Sequence, residues 1–89
     1  MNNIVVAYLD DYTYMFEGTP TSIASFIWTH RDCKVTISDI WDLLILTATG
    51  GFLDKISDPD LREDILKELT PLQKGEKEPI EIEYTGIYP

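Results

Sequence analysis

His30-Arg31-Asp32-Cys33 holds the only imidazole and the only thiol of this 89-residue chain, with a carboxylate between them. Such groups could make a thiolate nucleophile and its base. That chemistry needs the two side chains to meet, and Cys–His pairs that do so are ordinarily distant in sequence. Close neighbours on a connector read instead as a polar loop with a small, partly buried cysteine. A structural zinc site takes about four Cys or His ligands, and His30 and Cys33 are all that the chain offers. A second constellation is Asp10-Asp11, which with Glu81 or Glu83 from a neighbouring strand could hold Mg²⁺ or Mn²⁺, as in a metal-dependent nuclease. Lys and Arg to hold phosphate are scarce near these segments, and paired acids between two strands are more simply a solvated turn. Asp54 to Asp64 is rich in Asp but lacks the loop glycine of an EF-hand. Gly18-Thr19-Pro20 and Gly50-Gly51 lack the further glycines and the lysine of a phosphate loop. We therefore read no catalytic residue, no metal ligand set and no cofactor, and expect a protein that is not an enzyme.

Charge is the feature that remains. Sixteen Asp and Glu against seven Lys and Arg give a formal charge of -9. A diffuse excess of one sign steers partners of the other sign, so the expected partner is a protein with a basic surface. Anionic membranes and bare phosphate backbones repel carboxylates, which argues against membrane and direct nucleic-acid binding. The longest apolar stretch, Leu43 to Leu53, is too short to span a bilayer. One cysteine cannot form an intramolecular disulfide, and the N-terminus has no signal-peptide pattern, so a reducing, cytoplasmic setting is expected. The hydrophobic fraction of 44% is enough for a folded core. The length allows one domain, 1–89.

The elements that would position these groups follow from periodicity. Asn3 to Leu9 is a β-branched and aromatic run, read as a central strand buried on both faces. Tyr12 to Glu17 alternates, so a hairpin over 3–17 turns at Asp10-Asp11. Thr19 followed by Pro20 signals a helix start, and Ile23, Phe26 and Ile27 give helix 20–29 its apolar face. Lys34 to Ile37 reads as a brief strand or extended connector. Ser38 or Asp39 could cap a helix over 39–49, with Asp39 and Asp42 near its positive end and Ile40, Trp41, Leu44, Ile45 and Ala48 buried. A strand through Leu43 to Thr49 competes, because Ile45, Thr47 and Thr49 are β-branched. Asp58-Pro59 opens helix 59–69 on Leu61, Ile65, Leu66 and Leu69, and Thr70-Pro71 closes it. Ile80-Glu81-Ile82-Glu83-Tyr84 alternates strictly and is read as a strand over 80–84 with two carboxylates on its wet face. The last residues, Gly86 to Pro89, are expected to pack on their own domain or on a neighbour. Together these give an α+β domain with a small, mostly antiparallel sheet and about three helices on one face.

The segment from Tyr14 through Gly18-Thr19-Pro20 to Ile27 resembles the strand, Gly-Thr-Pro and helix piece of small acidic accessory proteins from phages and mobile elements of Gram-positive bacteria. Thr21 and Ser22 stand where those proteins often carry acids. The resemblance covers residues 14–27 only, implies a cytoplasmic protein that binds a host or phage protein, and transfers no functional residue. Asp39, Asp42 and Asp58 are accounted for as helix-start residues, and Asp10 and Asp11 as a turn. The carboxylates left over on elements expected to be ordered, chiefly Glu17, Asp60, Glu63, Asp64, Glu81 and Glu83, are the candidate partner-binding residues, with Tyr12 and Tyr88 as interface aromatics. The expected function is a small regulatory or inhibitory protein that occupies a basic surface of its partner. The alternative is a non-catalytic protein that pairs with its own copy, as a homodimer, through a sheet edge or a Tyr-rich face.

Overall fold

Alternation along the strands decides the layering. The computed structural model describes residues 3–41 and 43–89. In chain order these form β1 (Ile4–Leu9), β2 (Tyr12–Glu17), α1 (Pro20–Thr29), β3 (Lys34–Asp39), β4 (Ile45–Thr49), β5 (Phe52–Ile56), α2 (Pro59–Gln73) and β6 (Tyr84–Tyr88). The strands make one antiparallel sheet in the order β5-β4-β3-β1-β2-β6. Val5, Ala7 and Leu9 of β1 alternate onto the buried face with Phe16, Val35, Ile37, Leu46, Ala48 and Leu53 of its neighbours. Both helices lie on that face, and a single core joins all of these residues to Ile23, Phe26 and Ile27 of α1 and Ile65, Leu69 and Leu72 of α2. The other face of the sheet is open.

α1 is buried along its middle. Ile23, Ala24, Ser25, Phe26 and Ile27 are all buried, more than an apolar stripe on one face requires, because α1 is covered by the sheet below, α2 at its side and the extended chain before β6. Phe26 stacks on Phe16 with centroids 5.1 Å apart and meets Tyr14 edge-on at 5.4 Å. The buried Ser25 hydroxyl accepts the Ile80 N–H at 3.1 Å, so the polar atom in this tight place is satisfied. Both helix starts use the expected chemistry. Thr19 accepts the Ser22 N–H at 3.1 Å, and Asp58 accepts the Asp60 and Leu61 N–H groups at 3.0 and 3.3 Å, each just before a proline.

Several expectations are corrected. Among the described residues the sheet has six strands and the helices are two, because in place of the helix expected over 39–49 the chain ends β3 at Asp39 and forms β4, which Gly50-Gly51 joins to β5 as a hairpin. Both glycines have positive φ, 64° and 80°, which a two-residue turn between twisted strands requires. β-branched Ile45, Thr47 and Thr49 then face one side of the sheet and Leu46 and Ala48 the other. Asp39 ends β3 and caps no helix; Asp42 lies outside the described residues. Ile40, Trp41 and Ile45 are exposed rather than buried. β1 is central but covered on one face only, since Tyr8 is half-exposed. Lys34 to Asp39 is a full strand. α2 runs past Thr70-Pro71 to Gln73, with Pro71 in its last turn, where only one helical N–H is lost. Residues 80–83 are extended without ladder pairing, and the last strand is shifted to 84–88, where it pairs with β2 at the sheet edge and so anchors the chain's final residues.

The chain between α2 and β6 is tied down by Lys77, whose ammonium meets the Glu68 carboxylate at 2.8 Å. This hydrogen bond holds the Glu68 carboxyl below its ordinary value of 4.5. A depressed folded-state pKa contributes stability above the unfolded value, lost as pH falls through the folded one. Lys77→Met should therefore lower the melting temperature by a constant amount near neutral pH, and the gap to the wild-type chain should close in acid below the ordinary carboxylate range. Gly18→Ala is expected to cost about 1–3 kcal/mol in urea unfolding, because a Cβ there would stand 2.5 Å from Val5 Cγ1 and 3.0 Å from the Asn3 carbonyl.

Candidate functional site

The topology brings the starts of β1 and β4, the ends of β2, β3 and β5, and the N-termini of both helices to one end of the molecule. There Leu43 and Leu44, which lead into β4, are held by a single carboxylate. Asp39 is only 6% exposed, and its Oδ1 accepts the N–H groups of Leu43 and Leu44 at 2.7 and 3.1 Å. The Asp39 N–H in turn donates to the Leu44 carbonyl at 3.2 Å. The carboxylate thus satisfies backbone donors that the strand ladder has released. Beside this contact the large apolar side chains of Trp41 and Leu43 are 69% and 80% exposed.

Between Trp41 and Leu43, the start of α2 and the β2–α1 junction lies a cleft of about 460 Å³. Val5, Pro20, Leu44 and Leu61 give it apolar lining beside Trp41 and Leu43. Its charged lining is Asp39, Asp58, Asp60 and Asp64, with no Lys or Arg among the described lining residues. Asp39 and Asp58 are engaged by backbone N–H groups, whereas Asp60 and Asp64 are exposed. Asp58 and Asp60 stand where the positive end of α2 favours carboxylates, so the fold tolerates the concentration of like charge. A second groove, about 420 Å³, lies across the ridge made by Asn3-Ile4 and Glu17-Gly18-Thr19. Glu17, Glu81 and Glu83 line it with Ile4, Ile80 and Ile82.

Sequence-selected residues are thereby divided. Asp60 and Asp64 enter the cleft, and Glu17, Glu81 and Glu83 the adjoining groove. Glu63 points away from both and pairs with Lys67 at 3.5 Å on the exposed side of α2. Tyr12 sits at the opposite end of the sheet beside the Asp10-Asp11 turn, and Tyr88 lies on the open face with its ring over Gly86. Asp39, Trp41, Leu43 and Asp58 of the cleft were not among those residues. A signal for them exists in the run from Ile40 to Leu43: if β3 and β4 flank it, these large apolar residues stand on a connector with no buried face to serve.

The catalytic constellations do not assemble. Asp10 and Asp11 form the turn at one end of the β1–β2 hairpin, while Glu81 and Glu83 lie near Ile4 and Glu17 at the other. No group of three or more potential metal ligands occurs among the described residues. The His30 ring packs on Phe26 at 4.3 Å and its Nδ1–H donates to the Phe26 carbonyl at 3.0 Å, so the imidazole closes the end of α1. Cys33 donates its backbone N–H to the His30 carbonyl, a turn contact rather than a meeting of side chains. Nearby, burial and the neighbouring Tyr14 push the Tyr84 phenol above its ordinary 10.0, as expected for a core aromatic.

Asp39→Ala should cost about 1–3 kcal/mol, because two backbone donors lose a buried acceptor. It should also raise hydrogen-exchange rates at Leu43 and Leu44 and increase the mobility of Trp41 read by fluorescence anisotropy. Unchanged exchange at those amides would show that the carboxylate does not hold these residues.

No protein-family model matches the chain, and no curated protein or solved structure matches it significantly. No helix among the described residues is long and apolar enough to cross a membrane.

Proposed function

We propose that this chain is a protein-binding module, and that the cleft between Trp41, Leu43 and the start of α2 receives a basic, partly apolar segment of a partner protein. The observation that carries this reading is the pairing, in one concavity, of an exposed Trp41 and Leu43 with four aspartates and no cation among the described lining residues. An apolar surface alone would accept many partners. With aspartates around it, an incoming Lys or Arg finds carboxylates for its head group and an aromatic face for its stem or guanidinium. Glu17, Glu81 and Glu83 in the neighbouring groove extend the negative field over the same end, which favours encounter with a basic surface and repels an acidic one. A regulatory or inhibitory role follows if the partner's basic segment has work of its own to do. The same field disfavours phosphate backbones and anionic lipid as ligands, and a cytoplasmic setting fits the lone cysteine, Cys33.

The test is calorimetric titration with a short peptide that alternates Arg with Leu. Trp41→Ala should weaken binding roughly 10- to 50-fold, as loss of a central aromatic anchor does. Asp60→Asn with Asp64→Asn together should cost about tenfold, since exposed charges contribute about 0.2–1 kcal/mol each. Raising salt should weaken binding in the wild-type chain and much less in the double variant. Glu63→Gln, off the cleft, should stay within about twofold. Binding that ignores both Trp41→Ala and salt would remove the cleft as the site; capture from the native host at two salt concentrations would then identify what binds elsewhere.

A further inference from the structure

We propose that the open face of the sheet is a self-association surface whose occupant is a second copy of this chain. Side chains that alternate away from the helices include Val6 and Tyr8 of β1, Thr13 and Met15 of β2, and Thr36 and Thr47 of β3 and β4. Thr13, Tyr8, Thr36 and Thr47 are successive cross-strand partners, so a flat row runs across four strands, continued by Lys55 at one side and Tyr88 at the other. Tyr8, Ile45, Phe52 and Tyr88 on this face are all exposed large hydrophobics.

Charge selects the occupant. The charged strand residues on this face are Lys34, Lys55, Glu17 and, beside Lys55 at the β5 bulge, Asp54, two cations against two anions, in a chain whose total is -9. The acid excess therefore lies elsewhere. A basic partner finds the carboxylates on this face matched in number by lysines, and an acidic partner is repelled by the molecule as a whole. A second copy meets a nearly neutral surface like its own and keeps both sets of helices, with their acids, on the outside. Stacked sheets lie about 10 Å apart, so the two helical layers would be roughly 30 Å from one another, several screening lengths at physiological ionic strength.

Area sets the strength. Six strands about 4.8 Å apart and five residues rising about 3.3 Å each give a footprint of roughly 400–500 Å². Two such faces bury on the order of 1,000 Å² together, the lower limit for a specific interface. The dimer is then reversible, with a dissociation constant on the order of 10–100 μM.

Sedimentation velocity from about 5 μM to 1 mM protein, at about 50 and 500 mM NaCl, tests this. The expected result is a dimer that grows with concentration and tightens at least about threefold in high salt, as repulsion between like-charged molecules is screened. Thr36→Glu, at the centre of the face, should weaken it at least about tenfold by placing like charges opposite one another, and Thr36→Val should not. Tyr8→Glu, at a half-exposed position, provides the same readout should Thr36→Glu fail to fold. Trp41→Ala should leave the dimer intact. A monomer at every concentration and salt, a dimer indifferent to both glutamate substitutions, or one dissolved by Trp41→Ala would each overturn the assignment.

Discussion

The enclosure of α1 is the constraint on which the structure depends. A helix that covers a sheet usually buries one stripe, but here the residues from Ile23 to Ile27 are buried in succession. This needs a third cover besides the sheet and α2, and the extended chain at Ile80 supplies it through the Ser25 hydroxyl. The contact joins positions 55 residues apart and directs the chain on to β2, where β6 can pair. Removing that cover would open the side of the Phe16–Phe26–Tyr84 cluster and release the sheet edge together. A short, weakly apolar strand such as β6 thus holds its place because its approach is fixed, not because of strong propensity of its own.

Topology also explains where the acids gather. α1 follows β2 after two residues and α2 follows β5 after two, and both strands end at the same side of the sheet. The two helix N-termini therefore point the same way, and their partial positive charge offsets some of the repulsion among nearby carboxylates. Local capping placed Asp58 and Asp60 there, and the strand-end requirement placed Asp39. A partner-binding surface can then exploit charges whose positions already have structural reasons. Asp60 and Asp64, exposed beside them, are the ones that the proposed partner would meet.

Much of this fold was legible. Thr19-Pro20 and Asp58-Pro59 located both helices because capping and proline placement are local chemistry, independent of tertiary context. The β1–β2 hairpin was legible from its β-branched and alternating runs. The segment from Ile40 to Leu53 was not. Its apolar residues fit either a helical face or a strand pair, and the deciding feature was Gly50-Gly51, which serves equally as a helix end or a two-residue turn when read alone. A helix over 39–49 would bury Trp41 in the core, whereas the strand pair leaves it exposed at the cleft. Setting aside acids with local structural roles leaves Asp60 and Asp64 as candidates and passes over Asp39 and Asp58, which line the same cleft.

The chain's charge consequently has no single physical meaning. At the cleft, nearby aspartates act over a few ångströms and attract a cation, an effect that salt weakens. At the open face, the charges in register nearly cancel, and the rest of the molecule acts only at long range as a repulsion, which salt also weakens. The two effects have opposite consequences for association because the sheet separates them: its helical side and end carry the acid excess, and on its bare side acids and lysines balance. Exchanging Lys34 or Lys55 for an acid would erase that separation without touching the cleft. The partition of charge by the sheet, rather than the total of -9, is what would let one small domain hold a basic partner at one end and a copy of itself on one face.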